Sequence, residues 1–343
     1  MNSRSLTKIS LLVSLVAIFV VAFTAKTVFA QFSTASQDIE LIVAPTYPLP
    51  NQNISITVSH FSINLDAAEI TWFSGNKEIS SGIGQKKISL TAPGLGKNVT
   101  VSVYIRSLNG ESANAAVTVS PSEVDMIWEG NSYAHPFYRG KTLYPTFGSV
   151  NIIALPRIPN GRGGFFNEKE LVYKWEVNGK VIGEKSGFAK NSITVNDMIF
   201  RTPISVKVII TSLNGSAFGQ GTVAVPASIP RIFVYENNPL LGILFNKSIG
   251  VGITMDDTEL NLEAFPFFIT SVSRNSEEIT YQWSLNGQNL ESQSSGSLTL
   301  RKDSANDRGT ANVGLRVNNA GRAYETPSFF TSVMFGKSEE SNF

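Results

Sequence analysis

The chain of 343 residues contains no cysteine. That excludes disulfides, thiolate metal sites and a cysteine nucleophile together, and it frees folding from any oxidation step. Histidine is nearly absent. His60 and His135 fall in different repeats of the pattern described below, so they build neither a zinc site nor a two-histidine relay. Both read as surface or turn residues. An excess of one charge is missing as well, because 28 basic and 27 acidic residues leave a formal charge of +1. Such a chain has no field to hold a polyanion, and nucleic acid is not expected as a partner. There is no convincing helical period and no second hydrophobic span. What remains, 42% hydrophobic and 16% charged residues, is globular in composition and long enough for three domains with cores of their own.

One long apolar run is present, at residues 9–25. Arg4 and Lys8 precede it, and Val28-Phe29-Ala30 before Gln31 has small residues where a signal peptidase reads them. Export is therefore expected. The run is long for a removable signal and short for a membrane span, so residues 1–30 read either as a cleaved signal peptide or as a retained anchor helix. Either way residues 31–343 are expected outside the cytoplasm, with membrane contact only through residues 9–25 if the segment stays. The last residues, GKSEESNF at 336–343, read as a frayed polar tail.

Three segments share a tryptophan, a short turn and then an aliphatic residue: ITWFSGNKEI (70–79), VYKWEVNGKVI (172–182) and YQWSLNGQNL (281–290). Each is followed by an alternating strand and a glycine turn at Gly110, Gly215 and Gly321, which lie 38, 40 and 38 residues after Trp72, Trp175 and Trp283. A spacing that recurs over about a hundred residues marks a tandem array of one module. The inward sets of the alternating strands are Val99, Val101, Val103 and Ile105; Ile204, Val206, Val208 and Ile210; and Ala311, Val313, Leu315 and Val317. Another short strand precedes each tryptophan, NISITV (53–58), VNIIAL (150–155) and LNLEAF (260–265). Many short strands without a helical period predict an all-β chain of antiparallel sandwiches. In a sandwich with ~10 Å between its sheets, one indole touches both layers, so Trp72, Trp175 and Trp283 are read as core pins rather than sugar-stacking sites.

The pattern Y-x-W-x-x-N-G before a Leu, followed by DRGTANV (307–313) and VNNAG (317–321), resembles immunoglobulin-like and polycystic-kidney-disease-type (PKD) sandwiches. The resemblance extends over about residues 36–335 and is best in the third repeat. It implies three tandem immunoglobulin-like domains, at 31–122, 123–228 and 229–335. Ala311 stands where such domains often carry a corner tyrosine. Val313 stands where immunoglobulin domains carry their second cysteine, so the inter-sheet bridge is lacking. The resemblance says little of activity, since such sandwiches host many functions.

Trp128 with Glu129, and Tyr235 with Glu236, recur where one module follows another. They read as an inter-domain joint or as ordinary kinked first strands. A calcium site built from Glu129 with Asn131 or Glu236 with Asn238 has too few carboxylates, and no metal or cofactor is expected. No catalytic residue is assigned. Asp256, Asp257 and Glu259 form an acidic turn that an envelope hydrolase would need as its acid and base. The glycine-rich PNGRGG (159–164) lacks the lysine and helix of a phosphate cradle and reads as a flexible loop. The connections before the second and third tryptophans are long, about 156–171 and 266–279. They carry Arg157, Arg162, Phe165 and Phe166, and Phe267, Phe268 and Arg274, residue types that favour contact sites or else tuck beneath the loop. The expected function is an exported, non-catalytic protein of a bacterial cell envelope, a spacer, adhesion or protein-binding array whose partner is an envelope protein or a surface glycan. The rivals are a carbohydrate-binding surface protein and the hydrolase.

Overall fold

The structure, a computed structural model, describes residues 38–135, 137–146, 148–196, 203–291, 294–304, 307–322 and 325–336. The signal or anchor segment and the tail beyond Gly336 lie outside the described residues. Among the described residues no helix is long and apolar enough to cross a membrane.

Three β-sandwiches follow one another with one connectivity. In the first, Ile39–Ala44, Asn53–His60 and Lys87–Thr91 form one sheet, and Lys77–Ile83, Glu69–Ser74, Val99–Arg106 and Ser112–Val119 form the other, in that order. The second repeats this with Glu123–Gly130, Ser149–Arg157 and Ser192–Asn196 against Lys180–Val181, Leu171–Val177, Ile204–Ser212 and Phe218–Val225. In the third, Arg231–Asn238, Glu259–Phe267 and Ser297–Arg301 face Ser328–Phe335, Gly309–Asn319, Ile279–Leu285 and Gln288–Asn289. This is an immunoglobulin-like sandwich in which the strand after the tryptophan hairpin stays beside the tryptophan strand instead of crossing to the first sheet.

The local chemistry explains the repetition. In the second and third tryptophan hairpins, Asn178 and Asn286 have φ of 49° and 51° and are followed by glycine at positive φ. Two left-handed residues in a row make the turn whose twist matches that of the flanking strands, and Asn-Gly is the pair that tolerates it best. The three indoles are fully buried. Each donates its N–H to a backbone carbonyl across the sandwich: Trp72 to Gln85 at 2.8 Å, Trp175 to Lys190 at 2.8 Å and Trp283 to Ser295 at 2.9 Å. Around Trp72 pack Ile56, Ile70, Val101 and Val103, and around Trp283 pack Val234, Leu262, Leu315 and Val317.

Two features depart from a purely antiparallel array. Gly252–Met255 runs parallel to Ser328–Phe335 at the edge of the third sandwich, and Ala227–Ser228 runs parallel to Tyr144–Pro145. The second pairing ties the stretch leaving the second module back onto that module. The chain divides into two compact units rather than three: one ends at Pro121 and includes Asn214–Ala217, and the other comprises Ser122–Leu213 and residues from Phe218 onward. The second and third modules therefore share a unit.

Candidate functional site

The reason for that sharing lies in residues 131–148. From this segment Tyr133, His135, Phe137 and Tyr138 reach into the third module. Tyr133 donates its N–H to the Ile269 carbonyl at 2.8 Å and accepts at its own carbonyl from the Phe268 N–H at 2.8 Å. Its side chain packs against the core of the third module. Two residues later, His135 is only 7% exposed. Its ring lies 4.4 Å from that of Phe245, 4.5 Å from that of Phe265 and 5.1 Å from that of Phe137. Phe233, Tyr235 and Phe267 complete the cluster. His135 Nδ1 accepts the Phe137 N–H at 3.1 Å, so the neutral ring carries its proton on Nε2. Burial holds the pKa of His135 below the ordinary histidine range, and the positive charge of Arg274 acts in the same direction.

A polar brace backs the aromatic layer. Arg274 Nη1 pairs with Glu263 Oε1 at 2.6 Å, donates to the Ala264 carbonyl at 3.0 Å, and its guanidinium stands 4.3 Å over the Phe265 ring. Ser297 Oγ donates to the other Glu263 oxygen at 2.7 Å. Beyond Phe268 and Ile269, Thr270 donates its N–H and its hydroxyl to the fully buried Glu325 carboxylate, at 2.9 and 2.5 Å. The Asn319 amide donates to that carboxylate and to the Thr270 carbonyl, at 2.9 and 2.8 Å. On the side of the second module, Gly148 stands so close that a Cβ there would lie 2.7 Å from Thr270 Oγ1 and collide with Pro145. A charge this deeply buried is tolerable only because several donors meet it.

The residues singled out in the sequence fall into three groups. Trp128 is buried in its own module with Lys141 Nζ 3.3 Å above its ring, and Glu129 accepts from Thr142 Oγ1 at 3.1 Å. The joint to the third module is made by Tyr133, His135, Phe137 and Tyr138. Tyr235 packs within its own module on Phe245 and Phe265, the rings that His135 meets, while Glu236 lies opposite Leu262 in the sheet. Phe267, Phe268 and Arg274 are engaged within the chain, as aromatic layer and brace, so they offer no free contact loop. Arg157 belongs to a strand rather than a loop and pairs with Glu123. Arg162 and Phe165 are exposed and Phe166 half-buried. Their loop is not slack: Asn160 Oδ1 accepts the N–H groups of Arg162 and Gly164, at 2.8 and 3.2 Å.

His135 corrects the surface reading given to it, whereas His60 caps a turn through Nδ1 to the N–H groups of Ser62 and Ile63. Asp256, Asp257 and Glu259 lie exposed, with Glu259 paired to Arg301 at 2.8 Å. Among the described residues no group of three or more acidic or histidine side chains is placed to hold a metal ion.

The tyrosine of the Y-x-W pattern has a role of its own. Two residues before Trp175 and Trp283 stand Tyr173 and Tyr281, whose hydroxyls donate to the Glu168 and Arg274 carbonyls, at 2.8 and 2.7 Å. Burial raises both pKa values, so these groups stay protonated donors. The first module, with its short connection, has Ile70 there instead. The tyrosine pins the long loop where one exists.

No protein-family model matches the chain, and neither does any curated protein. Solved structures do resemble it. The three N-terminal domains of the bacteriophage RB49 highly immunogenic outer capsid protein are 11% identical over 88% of this chain and 99% of theirs, with a TM-score of 0.27. The Clostridium thermocellum CbhA fibronectin(III)-like modules are 14% identical over 55% of this chain and 94% of theirs, with a TM-score of 0.28. A bacterial ice-binding adhesin is 12% identical over 86% of this chain and 96% of that one, with a TM-score of 0.24. The assignment of the fold rests on the strand order above.

Proposed function

We propose that the protein is an exported, non-catalytic stalk of a cell envelope, which holds binding surfaces in fixed register. The observation that supports it is the buried, hydrogen-bonded joint between the second and third modules. Modules that merely share a chain have small polar interfaces and move independently. Here an aromatic layer around His135 and two backbone hydrogen bonds from Tyr133 hold them, at the cost of burying His135. Such an investment suits a spacer that must keep its geometry. The basic, apolar and small-residue order of residues 1–30 supports export.

The absence of native cysteine makes the test clean, since Lys180→Cys and Asp303→Cys give two labels and no others. Electron–electron distance measurement should return one narrow distribution between the second and third modules. A broad one would sink the stalk reading. Export is checked separately by protease accessibility of a C-terminal tag on intact cells.

A further inference from the structure

On the outer face of the second sheet, one row sets the third module apart. One residue past each tryptophan, the row holds Phe73, Ser102 and Ala116 in the first module. It holds Glu176, Lys207 and Thr222 in the second, and Ser284, Gly314 and Phe330 in the third. The second module closes its row with an ion pair, Lys207 Nζ to Glu176 at 2.9 Å. The third leaves its strand bare at Gly314. A Cβ there would stand 3.0 Å from the Phe330 ring and 2.6 Å from Ser284 Oγ. The phenylalanine ring therefore rests against glycine backbone and remains 73% exposed.

An aromatic laid over a strand glycine shields the sheet, which accounts for that contact. It does not account for the polar groups gathered beside it. In the next row Ser332 Oγ meets Asn312 Oδ1 at 3.3 Å, on an exposed asparagine. Together these residues line a trough of about 480 Å³, with Val251 at its rim. The trough is shallow and open, a shape that suits a ligand lying along the surface. No charged side chain lines it.

We propose that this trough binds a neutral oligosaccharide. The C–H face of a sugar ring is apolar with positive hydrogens, and it meets the negative face of an aromatic ring favourably. Sugar hydroxyls need partners that both donate and accept, and the side chains of Asn312, Ser284 and Ser332 do both. An ionic ligand would find no countercharge in the lining. A polyanion would in addition be repelled by the third module, where 11 acidic residues outnumber eight basic ones over 229–335. Three hydrogen-bonded strands hold the groups in place beforehand, so little ordering cost is incurred on binding. The inference rests on the reading of the chain as a binding stalk and names what one module grips.

The test is affinity electrophoresis of the full chain through gels containing a β-1,3-glucan, a β-1,4-glucan or a galactomannan, with alginate as the anionic control. At least one neutral polysaccharide should retard the protein. Phe330→Ala and Asn312→Ala should each weaken that retardation about tenfold or more, and Gly314→Ala should weaken it by lifting the ring. Phe188→Ala, on the second module, should not. The proposal is overturned if no neutral polysaccharide retards the chain, if alginate alone does, or if Phe330→Ala and Asn312→Ala migrate as the wild type. Failure here with a narrow inter-module distance leaves the stalk standing. Retardation with a broad distance removes the stalk alone.

Discussion

At the scale of single residues, the three tryptophans carry both a packing and a hydrogen-bonding load. Replacing Trp283 by alanine removes a large buried ring and should cost about 3–5 kcal/mol in denaturant unfolding. Replacing it by phenylalanine keeps most of the ring but strands the Ser295 carbonyl, a loss of about 1–3 kcal/mol. The Arg274 and Glu263 pair makes the sharper case. Arg274→Ala leaves a carboxylate buried without its partner and should destabilise by about 3–5 kcal/mol. The double replacement Glu263→Met with Arg274→Met should recover most of that loss, because no uncompensated charge remains. Tryptophan and Asn-Gly were readable in the sequence because their roles are local. The identity of Glu263 was not, since an acid in an alternating strand reads as an exposed position. Its partners, Arg274 and Ser297, come from distant stretches of the same module.

At the scale of elements, the strand Glu259–Phe267 shows where sequence reasoning stops. Leu260, Leu262 and Ala264 point to the core as the alternation predicts, yet Glu263, Phe265 and Phe267 on the other face are buried as well. Two phenylalanines on a nominally solvent face were the available signal that something covers it. The residues that cover it, Tyr133, His135, Phe137 and Tyr138, have no periodicity to announce themselves. His135 gives the joint a pH dependence. Folding favours neutral His135, so its contribution is fully present above the unfolded pKa of about 6.5 and is lost as pH falls through that value toward the folded one. The melting temperature of the second and third modules should fall between pH 7.5 and pH 5, and His135→Phe, which has no proton to gain, should remove that part of the slope.

At the scale of the molecule, the repeat set the fold while the partition into units came from contacts that no repeat reveals. The second and third modules should melt in one calorimetric transition. Gly148→Val, which forces a side chain against Pro145 and Thr270, should split it into two while leaving each sandwich folded. A variant that still melts in one step would show that the joint tolerates more space than its geometry implies.

The parallel pairing of Ala227–Ser228 with Tyr144–Pro145, reinforced by Thr146 N–H and hydroxyl to the Ser228 carbonyl at 3.2 and 3.1 Å, bears on mechanical load. The connector to the third module runs alongside its neighbour in the same direction, so tension on the chain shears these bonds together instead of peeling them singly. On the stalk reading, force spectroscopy should show the pair yielding in one step, as a latch does. With no covalent link to break, it should reclose once the force is released.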